Sequence, residues 1–159
     1  MLRIRVQAEP FDLSEEMSLL TKGDASIGGV ASFIGLVRDS NTVADQMASV
    51  ASMTLEHYPG MTEKALEKIA GQAVERWSLQ GVTVIHRIGE LHSTDPIVLV
   101  LAASAHRQAA FDACQYIMDV LKTTAPFWKK ESLPDGSHRW VDSRESDSDA
   151  AARWLSDEG

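Results

Sequence analysis

The sequence predicts a mixed fold, an α+β or α/β sandwich, on three observations. Short runs of alternating or continuous apolar residues recur along the chain, at 2–8, 26–37, 52–58, 82–88 and 96–103. Two longer stretches, 61–77 and 105–123, place apolar residues at helical spacing. Strand-like and helix-like segments follow one another in mixed order rather than in strict alternation.

Residues 2–8 alternate, with Leu2, Ile4 and Val6 on one face, and predict a strand. Asp12 with Glu15 three residues later resembles a capping box and opens a short helix to about Leu20. Residues 26–37 combine glycine with β-branched and apolar residues and predict a buried strand. Gly28, Gly29 and Gly35 mark a bulge or the close approach of another backbone there. Residues 39–48 are polar and aperiodic, so a mobile loop is expected. Residues 52–58 predict a strand closed by Pro59-Gly60. Met61, Ala65, Leu66, Ile69, Ala70, Ala73, Val74 and Trp77 then trace the inner face of an amphipathic helix.

Residues 82–88 predict a strand followed by a glycine-containing turn, and 96–103, nearly all apolar, a central strand. Ser104 is expected as the N-cap of a helix running to about Thr123, with Ala110, Cys114, Ile117, Met118 and Leu121 inward. Pro126 forbids its continuation. Residues 127–132 and 138–141 predict a hairpin around Pro134-Asp135-Gly136. The acidic tail is expected to be helical near 150–155 and partly disordered after about 150. With no repeat and no linker, residues 1–159 are read as one domain.

Composition narrows the function. A formal net charge of −8 argues against general nucleic-acid binding, which needs a basic footprint. No run approaches the roughly 18 apolar residues of a membrane span, and the N-terminus lacks the apolar stretch of a signal peptide. A single cysteine, Cys114, allows no internal disulfide and fits the cytoplasm. It falls on the inward face of a helix, as a small core residue. Dinucleotide and NTP-binding glycine motifs are missing, as are Cys-x-x-Cys and His-Glu-x-x-His, so neither a cofactor nor a metal is expected. His86 and His92, six residues apart, would lie about 20 Å apart on one strand, too far to share a metal.

The charge is uneven. Residues 104–130 hold four Lys or Arg against two acids, whereas 131–159 hold three Arg against eight acids. A basic island in an acidic chain suits an anionic ligand. One part is Ser104-Ala-His106-Arg107 at a helix start, where free N–H groups and cations together attract an anion. The other is Lys122-Thr-Thr-Ala-Pro-Phe-Trp-Lys129-Lys130, two basic clusters around a helix-breaking turn beside two aromatics. That combination suits a flat heterocycle carrying phosphate. Each also has an ordinary reading, a solvent-facing arginine and a basic helix end over core aromatics. Arg107 and Lys122 lie about 23 Å apart along one helix, so one small ligand cannot touch both. A symmetric homodimer with two sites near its interface is therefore expected.

These motifs carry a family resemblance. The stretches are Phe33-Ile-Gly-Leu-Val-Arg38, Leu55-Glu-His-Tyr-Pro-Gly-Met61, Val84-Ile-His-Arg-Ile-Gly-Glu90, Ser104-Ala-His-Arg107 and Ile117-Met-Asp-Val-Leu-Lys122. Ala125-Pro-Phe-Trp-Lys-Lys-Glu131 and Arg144-Glu-Ser-Asp147 follow. In order and combination they resemble the large, catalytic subunits of molybdopterin synthase. The resemblance implies an α+β fold, an α/β hammerhead-like sandwich with an added antiparallel β subdomain. It implies a sulfurtransferase of molybdenum cofactor biosynthesis that converts cyclic pyranopterin monophosphate into molybdopterin by building its dithiolene. Sulfur would come from the C-terminal Gly-Gly thiocarboxylate of a small ubiquitin-like sulfur-carrier subunit. A homodimer of large subunits would form the core of a heterotetramer, with no metal, nucleic acid or membrane involved.

Carried over by position, the resemblance places the catalytic lysine at Lys122 and a second site lysine at Lys129, followed by Lys130 and Glu131. Substrate-binding positions fall on His106, Arg107 and the segment Leu36-Val37-Arg38. The family often carries lysine where this chain has Leu36, which leaves its backbone to line the site. Arg38 and Arg107 suit a phosphate through paired hydrogen bonds. Lys122 as acid or base, electrostatic stabiliser or covalent partner all fit the sequence. The hairpin within 127–141 is expected to wall the channel for the extended Gly-Gly tail. The residues alone also leave open a lysine-dependent lyase or phosphate-ester hydrolase, and a non-catalytic scaffold for the ubiquitin-like protein.

Overall fold

The computed structural model describes residues 1–38, 40–43, 46–49, 52–141 and 145–155. The core is a four-stranded sheet built from β1 (Leu2–Gln7), β6 (Gly81–Arg87), β8 (Pro96–Ser104) and β2 (Gly29–Leu36), in the order β1-β6-β8-β2. β1 runs parallel to β6, and the other pairs are antiparallel. β8 is apolar throughout because it is central and covered on both faces. Val98, Val100 and Ala102 pack beneath α2 (Met61–Trp77) and α3 (Arg107–Thr124), while Leu99, Leu101 and Ala103 meet Leu20 of α1 (Leu13–Thr21) on the other face. The inward stripe expected for α3 is buried at all five positions, Ala110, Cys114, Ile117, Met118 and Leu121.

A second antiparallel sheet, in the order β10-β9-β5-β7, joins β5 (Ser52–His57), β7 (Gly89–Leu91), β9 (Phe127–Ser132) and β10 (His138–Val141). The β9–β10 hairpin has the bounds expected from its turn residues. The two sheets with their helices form the mixed α+β architecture that the pattern predicts. Among the described residues, no helix is long and apolar enough to cross a membrane.

Several local expectations are corrected. The segment 39–48 was expected as a loop, yet β3 (Ser40–Val43) and β4 (Gln46–Ser49) pair antiparallel. Backbone pairing needs no apolar alternation, so the pattern gave no warning. Ser104 is the last residue of β8 rather than a helix cap, because pairing with Gly29 keeps it extended. The N-cap of α3 is His106. The glycine turn after β6 leads into the short strand β7. Met61 is exposed at the first turn of α2, and Thr62 is buried in its place. The tail helix begins earlier than expected, as α4 (Glu145–Ala152), and residues 156–159 lie outside the described residues.

Beyond α4, Trp154 packs edge-on against Trp77 and Tyr116, with ring centroids 5.7 and 5.6 Å away. The Arg76 guanidinium lies 4.8 to 5.8 Å from all three rings. Trp154 Nε1 and Arg153 both donate to Asp119 of α3, at 2.7 and 2.6 Å. The chain after β10 is thereby clipped to α3 one turn before Lys122.

Candidate active site

α3 runs antiparallel to β8, so its two ends lie at opposite ends of the main sheet. The register sorts the candidate residues accordingly. Gly29 pairs with Ser104 at one end, and Leu36 with Pro96 at the other. His106 and Arg107 therefore stand at the Ser104 end. Leu36, Val37 and Arg38 stand at the Pro96 end, the end to which α3 brings Lys122. Within one chain, the two groups are not brought together.

The Ser104 end is open. His106 is extended at the N-cap and makes no side-chain cap, and Ser104 Oγ accepts the His106 N–H at 3.3 Å. The first turn of α3 holds no acid, whereas α1 has Glu15 and Glu16 and α2 has Glu63. Both His106 and Arg107 are exposed. A helix start with cations and no internal anion is suited to an anion from outside. Gly28 sets this geometry. Its N–H donates to Ser104 O at 2.9 Å, and a Cβ there would lie 2.0 Å from the Ala105 carbonyl oxygen.

The Pro96 end is built in layers. Val37 is buried with Met53, Leu55 and Leu91, and so ties the end of β2 to the second sheet. Leu36 is exposed after the register shift at Gly35. Arg38, the next residue after Val37, is exposed as well. β9 then leaves the end of α3. Thr62 fixes that turn by donating to Pro126 O and accepting the Tyr58 N–H, both at 3.0 Å.

Successive residues of a strand face opposite ways, which divides the lysines. Phe127, Lys129 and Glu131 share the face opposite His57, Leu55 and Met53 of β5. Trp128 and Lys130 take the other face, where Trp128 and Trp140 are 49% and 58% exposed. Lys130 Nζ lies 5.9 Å from the Trp140 ring centroid, its cross-strand partner. Glu131 is only 1% exposed and accepts from Arg139 Nε at 2.7 Å, with Arg139 Nη2 at 2.6 Å. It reaches the surface through Arg139, which it holds across the hairpin.

The same end holds a histidine whose spacing from His92 spoke only against a shared metal. His86 is buried, stacked on Phe127 with centroids 3.8 Å apart and planes 21° from parallel. Its Nδ1 lies 2.9 Å from Arg87 O. A carbonyl can only accept, so Nδ1 carries the proton and Nε2 keeps its lone pair. Burial holds the pKa down to about 4 against the opposing pull of the Arg87 carbonyl, with the charges of Lys129, Lys122 and His57 lowering it further. His57 in turn lies 3.6 Å from Glu63. One signal for His86 was available. It continues the apolar stripe Val82-Val84, where the pattern predicts an aliphatic side chain.

Cys114 is buried in the main core, and burial pushes its thiol up to about 11, which leaves it inert at neutral pH.

Comparison with known proteins identifies the family. The family model described as MoaE protein matches residues 6–124. The chain is 51% identical over 154 residues to a molybdopterin synthase catalytic subunit of Mesorhizobium japonicum, covering 96% of this chain and 93% of that protein. It is 55% identical over 152 residues to the subunit of the same name from Escherichia coli, covering 96% and 97%. Among solved structures it resembles a molybdopterin biosynthesis MoaE protein of Burkholderia ambifaria, with a TM-score of 0.81 and 50% identity over 97% of this chain and 98% of the other.

Proposed function

The chain belongs to the MoaE protein family, the catalytic subunits of molybdopterin synthase, and we propose that its lysine-bearing end carries out sulfur transfer. The substrate is cyclic pyranopterin monophosphate. The donor is the Gly-Gly thiocarboxylate at the C-terminus of a small ubiquitin-like subunit, and the product is the dithiolene of molybdopterin. The enzyme is a sulfurtransferase, read as one domain over residues 1–159 and placed in the cytoplasm, where a free thiol such as Cys114 stays reduced.

The arrival of Lys122, at the end of α3, and Lys129, on β9, at the same end of the main sheet beside the buried His86–Phe127 stack carries this reading. Opening the cyclic phosphate develops negative charge on oxygen. Lys122 is exposed and Lys129 half-buried, and two ammonium groups backed by a buried layer stabilise that charge. Lys122 sits in the last turn of α3, and it is the principal catalytic residue. Lys129 is its partner, and Arg38 and the backbone of Leu36-Val37 border the same end. Glu131 serves through Arg139 by holding the hairpin. Lys130, beside Trp140 on the outer face, meets the donor tail as it enters.

His106 and Arg107 hold the phosphate of the site on a second copy of the chain, since α3 separates them from their own lysines. The working unit is then a homodimer with a small subunit at each end. The test is product formation from a thiocarboxylated small subunit and cyclic pyranopterin monophosphate. Turnover by the native chain and its loss in Lys122→Ala support the reading. Full turnover by that variant would remove Lys122 from the chemistry.

A further inference from the structure

A buried threonine ties together the segments that meet at the turn between the two site lysines. α2 opens from Tyr58-Pro59-Gly60, where Gly60 has a φ of 84° and its N–H donates to Glu63 at 2.7 Å. That opening sets Thr62, the second residue of α2, against the end of β5 at 0% exposure. The Thr62 N–H donates to Tyr58 O at 2.9 Å, and Thr62 Oγ1 accepts the Tyr58 N–H at 3.0 Å. The same hydroxyl donates to Pro126 O at 3.0 Å.

The register gives these contacts their meaning. β5 and β9 pair antiparallel as far as His57 opposite Phe127, and one further step would set Tyr58 opposite Pro126. Proline has no N–H, so a direct rung there could only run from Tyr58 N–H to Pro126 O. The Thr62 hydroxyl stands inside that rung, accepting from Tyr58 on one side and donating to Pro126 on the other. A hydroxyl can do both, because it carries one donor and two acceptor lone pairs. The two segments are thereby spaced by an oxygen at the point where α3 hands over to β9.

Pro126 lies in the short link between the lysines. Lys122 is in the last turn of α3, before Pro126, and Lys129 is on β9, after it. On the α3 side the link is closed by Ala125 N–H to Leu121 O at 3.1 Å, and on the β9 side Phe127 stacks on His86. We infer that Thr62 is a positioning residue, a hydroxyl spacer that sets the path of this link and so where Lys122 and Lys129 leave the backbone relative to each other. The inference rests on the lysine-site reading above. Without the hydroxyl, Tyr58 N–H and Pro126 O are left unpaired or bond directly, and direct bonding draws the link toward β5. A displacement of about 1 Å at a catalytic group is enough to cost tenfold or more in rate.

The test compares Thr62→Val, Thr62→Ser and Thr62→Cys with the native chain in the complete synthase, by kcat and KM well below the unfolding temperature and by thermal unfolding. Val keeps the shape and removes the hydroxyl. Ser keeps the hydroxyl and loses a buried methyl. Val is expected to lower kcat about tenfold with KM within about twofold of native, and Ser to hold kcat within about twofold despite a lower unfolding temperature. A threonine that served stability alone would leave the kcat of the folded enzyme native in every variant. Native kcat in Val, or a kcat that simply follows the unfolding temperature across the variants, would overturn the inference. Should Val fail to fold, Cys decides. Its thiol fills similar space but is a weak donor, so a severalfold kcat loss is expected, and native kcat would overturn the inference. Lys122→Ala is measured alongside. Its inactivity together with native kcat in Thr62→Val sinks this inference alone, whereas its full activity sinks the lysine-site reading beneath it.

Discussion

The two ends of α3 are built on opposite principles. At its start, His106 and Arg107 are exposed, no acid offsets the helix dipole, and a glycine rather than a side chain shapes the backbone. At its finish, Lys122 is exposed too, but beside it stand a buried imidazole, a phenyl ring stacked on it and a hairpin cross-braced by a buried carboxylate. A helix start standing in water holds an anion but changes its energy little, because water screens it. A lysine backed by a buried layer can do more for a charge that forms during reaction. On the reading proposed above, binding falls to one end and chemistry to the other.

The sharpest way to break this contrast is to remove one charge from each end. Lys122→Ala is expected to lower kcat by about 10²–10³-fold with the fold intact. Arg107→Ala should act mainly on KM, raising it about tenfold. Steady-state kinetics on both variants separates the two effects. Equal kcat losses would mean that both ends do chemistry. If the ends meet across a dimer, mixing inactive Lys122→Ala with a kinetically silent double variant of His106 and Arg107 should restore activity. After random exchange, about a quarter of the sites would be intact. No recovery after verified exchange would place each site within a single chain.

The supports of the two ends should also fail differently. Glu131→Gln leaves Arg139 facing a neutral amide in a buried hairpin, and is expected to cost about 3 kcal/mol in urea unfolding. His86 makes stability fall with acid. Its pKa is lowered on folding from 6.5 to about 4, so the unfolded chain binds the proton first. Below the unfolded value, stability should decline by up to about 1.4 kcal/mol per pH unit, and the loss levels off below the folded value. That slope should be missing from His86→Phe, so the stability difference between the native chain and the variant should itself change with pH from 7 to 4. The mildest effect is expected at the open end. Gly28→Ala must push back the Ala105 carbonyl, at about 1–3 kcal/mol in stability, and KM should rise more than kcat falls.

Sequence periodicity made the main sheet and α3 readable because burial there is two-sided and regular. The nine apolar or small residues of β8, the helical stripe from Ala110 to Leu121 and the stop at Pro126 leave few alternatives. The β3–β4 pair was invisible because backbone bonding carries it without an apolar face. Ser104 was misplaced because a serine before a helix reads as a cap, and only pairing with Gly29 shows that the strand continues through it. The basic clusters were legible as charge. Their surroundings were not, since nothing in the spacing of Lys122, Phe127 and Lys129 says that a histidine from β6 stacks on Phe127. Separation of Lys129 from Lys130 follows from strand alternation alone, once β9 is recognised.

That alternation makes the hairpin sensitive to counting. A slip of one residue between β9 and β5 would exchange the two lysines, turning Lys130 to the face of Phe127 and Lys129 to the other. The same slip would press Trp128 into a space shaped for Phe127. The hairpin would carry its Glu131–Arg139 bridge along and turn that buried pair to the outer face. Burial of the bridge therefore works as a parity check on the strand. Only the native count keeps it covered, and only the native count seats Phe127 on His86.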